Sequence, residues 1–338
     1  MNTTDQKYNR FALVREMMET PAIVRAFKHE DVVHFAKKIK AKKGLLMTGE
    51  GSSRIFPAKR TISALHKTGN SFPVITEGST QACEYPLSDF AVFAASNSGQ
   101  TKEVIRLVST LKKRNHDAIF GLTANHNTKM QELVHDTHIL SCGKEDAVAA
   151  TKSVIEQGLF YDSLMRAVTG QEMNGLKDAG DKIEQALTLQ IDPAIIDRIK
   201  KADVIYFAGR NNGVAEELAL KTNEITRKKS AYLEGTFAVH GIEEVMDKNE
   251  VVIWIEPFPE EVEKFNECLV KGVGMDVIAV SCTNTIFPQV HIPYGGLYSE
   301  YVQLAAGWNL LVETGIALGI DLDKPVRARK VGNEFIGS

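Results

Sequence analysis

Five short apolar runs separated by helical patterns occur twice, in the same order, along this chain. The first set lies at residues 44–48, 72–76, 90–95, 118–122 and 137–140, and the second at 204–208, 230–233, 251–255, 276–280 and 289–292. Short β-branched runs alternating with longer helices make βα units, and runs that are apolar throughout belong to parallel sheets covered on both faces. The spacing repeats as well. Gly49 and Gly209 lie 160 residues apart, as do Ser96 and Glu256, while Gly78 and Gly235 lie 157 apart. Solenoid and propeller repeats run to about 20–50 residues, so a period of this length marks a duplicated domain. The expected fold is therefore α/β, with two tandem doubly wound domains, each a parallel five-stranded sheet flanked by helices. Residues 1–180, with a leading helix at 10–27, are expected to form the first domain. Residues 181–338, with a long helix at 297–318 and a basic tail, are expected to form the second.

At 338 residues the chain exceeds the size, about 250–300 residues, at which a single core stops growing. Lys and Arg number 40 against 43 Asp and Glu, a formal charge of −3 that gives no field for gathering nucleic acid or an anionic membrane. An anionic ligand has to be held locally. The first twenty residues contain no apolar stretch of signal-peptide length, and nothing downstream approaches the ~18 apolar residues of a membrane span, so a cytoplasmic protein is expected. Cys83, Cys142, Cys268 and Cys282 include no C-x-x-C pair, which leaves zinc and disulfide frameworks unsupported. H-E-x-x-H, P-loop and G-x-G-x-x-G patterns are absent too, so no metal or cofactor is expected.

Chemistry concentrates where three runs end. After the third run stands Ser96-Asn-Ser-Gly-Gln-Thr101, leading into a helical pattern. A helix N-terminus presents unpaired N–H groups and about half a positive charge, and adjacent hydroxyls add donors, so Ser96, Ser98 and Thr101 are candidate phosphate ligands. Ser and Thr also cap helices routinely, and these residues fit that role equally. After the first run, Gly49-Glu-Gly-Ser-Ser53 places Ser52 and Ser53 beside two glycines, at the sheet end where ligands bind in open α/β folds. Glycine turns at strand ends are also common without a ligand. After the fifth run, Glu145 to Ser153 enters a helix with acids near its start, a placement the helix dipole favours, and Thr151 and Lys152 would line the same crevice.

Together, G-x-G-S-S, S-x-S-G-x-T and E-x-A-V-A-A-T-K resemble the sugar isomerase (SIS) domain family, over nearly the whole chain and in two tandem domains. In the second half, Ala219-Leu-Lys-Thr-Asn-Glu224 and Val239-His-Gly241 resemble the family's A-L-K-x-x-E helix and H-G motif. The resemblance implies a phosphosugar aldose–ketose isomerase or deaminase without a glutaminase domain, acting on an amino-sugar 6-phosphate such as glucosamine 6-phosphate. It implies that Asn97, Val148, Ala150 and Lys221 join the serines and Thr101 around the substrate. By the same resemblance Glu224 moves a proton between C1 and C2, and His240 opens the sugar ring from a neighbouring subunit, which makes the protein a homodimer with shared sites. Lys330, five residues after Pro325, resembles a lysine that closes the family's site. Phe237, Ile242 and Arg329 depart from the family's usual Glu, Pro and small or apolar residue, and bear on which sugar is taken. A fructosamine-6-phosphate deglycase and a non-catalytic sugar-phosphate regulator remain the competing readings, although no helix-turn-helix pattern precedes the first run.

Overall fold

All ten apolar runs are strands in a computed structural model that describes residues 1–327; Arg329 and Lys330 lie outside the described residues. β1 (Gly44–Gly49), β2 (Val74–Gly78), β3 (Phe90–Ala95), β4 (Ile119–Thr123) and β5 (Asp136–Ile139) form one sheet. β6 (Val204–Gly209), β7 (Lys229–Glu234), β8 (Val251–Ile255), β9 (Asp276–Ser281) and β10 (Gln289–His291) form the other. Every pairing is parallel, and both sheets share one order, β2-β1-β3-β4-β5 and β7-β6-β8-β9-β10. In each, the first strand lies between the second and third, so the winding reverses there and a crevice opens beyond the strands' carboxyl ends.

In the first half the helices are α1 (Gln6–Asn9), α2 (Ala12–Ala26), α3 (Val33–Lys40), α4 (Ile55–Lys67), α5 (Ser79–Ala82), α6 (Lys102–Lys113), α7 (Lys129–Leu133) and α8 (Lys152–Thr169). In the second they are α9 (Leu176–Thr188), α10 (Pro193–Lys201), α11 (Val214–Ile225), α12 (Val262–Phe265) and α13 (Ser299–Ala317). Among the described residues no helix is long and apolar enough to cross a membrane.

The chain divides into two compact units, one for each sheet. The first sheet's unit comprises residues 22–145 and 150–176, and the second sheet's comprises 1–21, 146–149 and 177–327. Its bounds thus differ from the expected 1–180 and 181–338 at the start of the chain. The reason is a set of polar contacts to distant residues. Backbone N–H groups of Ala12 and Leu13 donate to the Asp323 carboxylate at 2.7 and 3.0 Å, which supplies the cap that α2 lacks locally. Lys7 pairs with Glu313 at 2.9 Å, and the Tyr8 hydroxyl donates to the same carboxylate.

Each sheet is covered on both faces. On one face of the first, Leu45, Met47, Phe93 and Phe120 pack with Phe35 of α3 and Phe160 of α8; on the other, Leu46, Val92 and Ala94 pack with Val104, Leu107 and Val108 of α6. Successive residues of one strand point to opposite faces, so a strand apolar throughout requires both to be buried. In the second unit Trp254 of β8 stacks on Phe265 of α12 with ring centroids 3.6 Å apart. α8 is buried around its whole circumference over most of its length, and several of its polar residues are paired: Asp162 with Arg60 and Thr61, Ser163 with His29.

Candidate functional site

Ser96 to Thr101 form a tight loop from β3 into α6, fixed from several sides. Gly99 has φ +66, a conformation that favours glycine, and its carbonyl accepts from Met130 N at 3.1 Å. The Asn97 carbonyl accepts from Ala124 N, Thr123 Oγ1 and Asn125 Nδ2 at 2.8–3.1 Å, which ties the loop to the end of β4. Ser96 Oγ lies 2.8 Å from Thr101 Oγ1 and accepts the Thr101 N–H at 3.3 Å, while Ser98 Oγ accepts from Gln100 N. Thr101 is the N-cap of α6, yet its side chain makes no capping hydrogen bond. Its hydroxyl turns to Ser96, so the helix's first N–H groups do not receive the usual cap from it. A helix terminus without that cap keeps N–H donors to offer, an arrangement compatible with an anion.

The loop after β1 lies at the same end of the sheet. Gly49 is required by close approach, since a Cβ there would fall 2.9 Å from the Ala95 carbonyl at the end of β3. Gly51 has φ +54 and opens a single tight turn, 51–53, that carries Ser52 and Ser53. Between the glycines, Glu50 accepts from Ser79 N at 2.9 Å. Burial raises its carboxyl above the ordinary value of 4.5 against the lowering effect of that hydrogen bond, and Glu103 nearby pushes the same way as burial.

Within 145–151, Glu145 and Thr151 are buried, Val148 and Ala150 half-buried. Residues 146–149 group with the second sheet's unit, where Asp146 N and Ala147 N donate to the buried Glu16 carboxylate of α2. Burial also pushes the nearby Cys142 thiol well above its usual range, so it stays protonated and unreactive.

In the second unit α11 carries Glu217, Lys221 and Glu224 on one stripe, as spacings of three and four residues require. Lys221 Nζ lies 2.7 Å from Glu224 Oε2 and 3.4 Å from Glu217 Oε1. Lys221 and Glu217 are fully buried, while the Glu224 side chain is 26% exposed, so the outer carboxylate alone reaches toward solvent. Glu217 is the residue that sequence reading missed; its place four before Lys221 was the available signal. His240 ends a short turn, 237–239, is exposed, and has its Nε2 3.1 Å from Lys264 Nζ. An ammonium only donates, so that nitrogen accepts. His240 thus meets Lys264, also unforeseen, and not Glu224. Phe237 beside it is 48% exposed.

The comparisons bear on the fold that carries these groups. Residues 38–167 match the family model of the SIS domain. The C-terminal domain of glucosamine-fructose-6-phosphate aminotransferase from Francisella tularensis has the same fold over 95% of this chain and 100% of its own, with a TM-score of 0.77 at 18% identity. Glucosamine-6-phosphate deaminase from Thermotoga maritima aligns over 94% of this chain and 98% of its own, with a TM-score of 0.75 at 20% identity. For tagatose-6-phosphate ketose/aldose isomerase from Escherichia coli the figures are 96% and 98%, 0.76 and 17%. No curated protein matches by sequence. Both five-stranded sheets and nearly the full length are shared with these structures, and the first sheet with its flanking helices, residues 38–167, is an SIS domain.

Proposed function

We propose that this protein is a cytoplasmic phosphosugar isomerase of the deaminating kind, taking an amino-sugar 6-phosphate, with glucosamine 6-phosphate as the first substrate to try. The observation that carries this reading is the loop after β3, where Thr101 turns its hydroxyl to Ser96 and leaves the α6 terminus to an anion. Ser52, Ser53, Ser96, Asn97, Ser98 and Thr101 hold the phosphate end, with Val148, Ala150 and Lys221 along the sugar. Glu224 takes the C2 proton of the opened aldose to give an enolamine and returns a proton to C1. The resulting C2 imine is hydrolysed by water, which releases ammonia and leaves a ketose 6-phosphate. Lys221, between Glu217 and Glu224, holds the carboxylate of Glu224 in place. Exposed His240 opens the ring in the site of a second copy, so the working form is a homodimer, and Lys330 completes the site.

The test is ammonia release from 6-phosphosugars, with glucosamine, galactosamine and fructosamine adducts compared. Ammonia from an amino sugar is expected, and Glu224→Gln is expected to lower its rate by about 10²–10⁴, the usual contribution of a general base. Release of an amino acid from an adduct, with no ammonia, would replace the deaminase by a deglycase. Binding without turnover would replace the enzyme by a regulator. Mixing Glu224→Gln with His240→Asn chains is expected to restore activity, which self-contained sites would not do.

A further inference from the structure

We infer that Glu145 is a positioning residue of the anion crevice, holding Asn97 of the loop after β3 in register with the first turn of α8. The inference rests on the phosphate reading above and concerns a residue that reading leaves unused. Glu145 is buried to within 1% and lies six residues before the N-cap of α8, Thr151, outside the first turn that the helix dipole rewards. Its Oε1 accepts from Thr151 N at 2.7 Å and Ser153 N at 3.3 Å; its Oε2 accepts from Ser153 Oγ at 2.6 Å and Asn97 Nδ2 at 2.9 Å. The N-cap side chain makes no capping bond of its own, so this carboxylate takes over that task from a distance.

One group therefore joins two loops at the same end of the first sheet. Two consequences follow from the bonding. The Asn97 amide is fixed by its nitrogen, and its Oδ1 is buried with no partner among the described residues; Thr151 Oγ1, beside the second bonded N–H, is in the same state. Burying a polar atom unpaired costs free energy, so partners from outside the fold, a ligand hydroxyl or the water it orders, are favoured there. Glutamine does not reproduce this set of four accepted bonds. With one acceptor oxygen and an NH₂ group, it would set donor against donor at Asn97 Nδ2 in one orientation and at the Thr151 and Ser153 N–H groups in the other.

The experiment is calorimetric titration of the full chain with inorganic phosphate, across wild type, Ser96→Ala, Asn97→Ala, Glu145→Gln, the Asn97→Ala/Glu145→Gln double variant and Glu156→Gln. Glu156, within α8, is the control, because it is about as deeply buried and accepts from Ser141 N and Cys142 N at 2.7 Å, with no bond to Asn97 among the described residues. If Glu145 positions the loop, Glu145→Gln weakens phosphate binding by roughly ten- to a hundredfold, the scale of a displacement near 1 Å. Asn97→Ala then does the same, and the double variant is no weaker than either single one. Glu156→Gln loses melting temperature but keeps phosphate affinity. Unchanged affinity in Glu145→Gln, or additive losses in the double variant, would overturn the inference while wild-type binding and its loss in Ser96→Ala left the phosphate reading standing. Should Glu145→Gln fail to fold, Asn97→Ala decides: full affinity in that variant overturns the inference. Absence of phosphate binding in wild type would overturn both.

Discussion

Lys221 is a cation with no route to water, set between a carboxylate fully buried below it and one that reaches solvent above it. Removing one member of a buried ion pair is far more damaging than the pair's net worth, because the desolvated partner loses its counter-charge. Lys221→Met is therefore expected to cost about 3 kcal/mol in urea unfolding, with part of that recovered in the Lys221→Met/Glu217→Gln double variant. A loss under ~0.5 kcal/mol, the range of ordinary surface changes, would show that the pair does not carry local stability. Glu50 gives a prediction of opposite sense. Burial raises its carboxyl above 4.5, so the folded chain holds that proton more tightly than the unfolded one. The associated stability is complete below pH 4.5 and is lost as pH rises through the folded value. Glu50→Gln should accordingly raise the melting temperature at pH 7.5 and leave it nearly unchanged at pH 4; a rise of equal size at both would exclude ionisation as the cause. At this scale the sequence carried residue types well: Lys221 and Glu224 were legible through the A-L-K-x-x-E resemblance, and their three-residue interval makes them meet on a helix. It carried environments poorly. Nothing local to His240 announces Lys264, which lies 24 residues away and bonds it only through tertiary packing.

Among elements, the β3-to-α6 loop is the most constrained. Gly99 has φ +66, and a Cβ there would stand 2.4–2.6 Å from three side-chain atoms of Thr128. Thr128 cannot yield cheaply, because it forms a capping box with Gln131 at the start of α7. Gly99→Ala should therefore destabilise the chain by about 1–3 kcal/mol and abolish phosphate binding by displacing the loop. A variant that kept both its unfolding midpoint and its affinity would show that the loop tolerates the shift. Strand positions were legible because burial on both faces leaves an uninterrupted apolar run. Where burial weakens, so did the reading: β2 occupies 74–78 and not 72–76, since Pro73 has no N–H and contributes only its carbonyl, to Leu45 N at 2.9 Å. Residues 266–273, which continue α12 as a wide π turn up to Gly274, were not legible, because widening a turn by one residue leaves the apolar pattern nearly unaltered.

At the scale of the molecule, the duplication was written in the 160-residue offset, but the divergence of the two crevices was not. Ser96 and Glu256 directly follow corresponding strands, β3 and β8. Where the first crevice has a loop of hydroxyls and backbone N–H groups, the second has Glu256-Pro-Phe-Pro259, and its two prolines donate nothing. Glu256 adopts φ +47, an uncommon conformation for a residue with a side chain. Its carbonyl accepts from the Arg210 guanidinium, and its carboxylate accepts from Ser281 Oγ at 2.8 Å and Gln303 Nε2 at 3.3 Å. A fixed negative charge thus sits at the second switch point, with its nearest donors already engaged, and both features oppose a phosphate. Those donors come from β9 and α13, 25 and 47 residues further along, which is why a local reading of the second loop could not find them. One equivalent of glucose 6-phosphate per chain is therefore expected in equilibrium titration, with Ser96→Ala removing all of it. Two equivalents, or half the signal surviving in Ser96→Ala, would mean that the second crevice binds phosphate despite Glu256, and that hydroxyl-rich loops are not what separates the two halves of this chain.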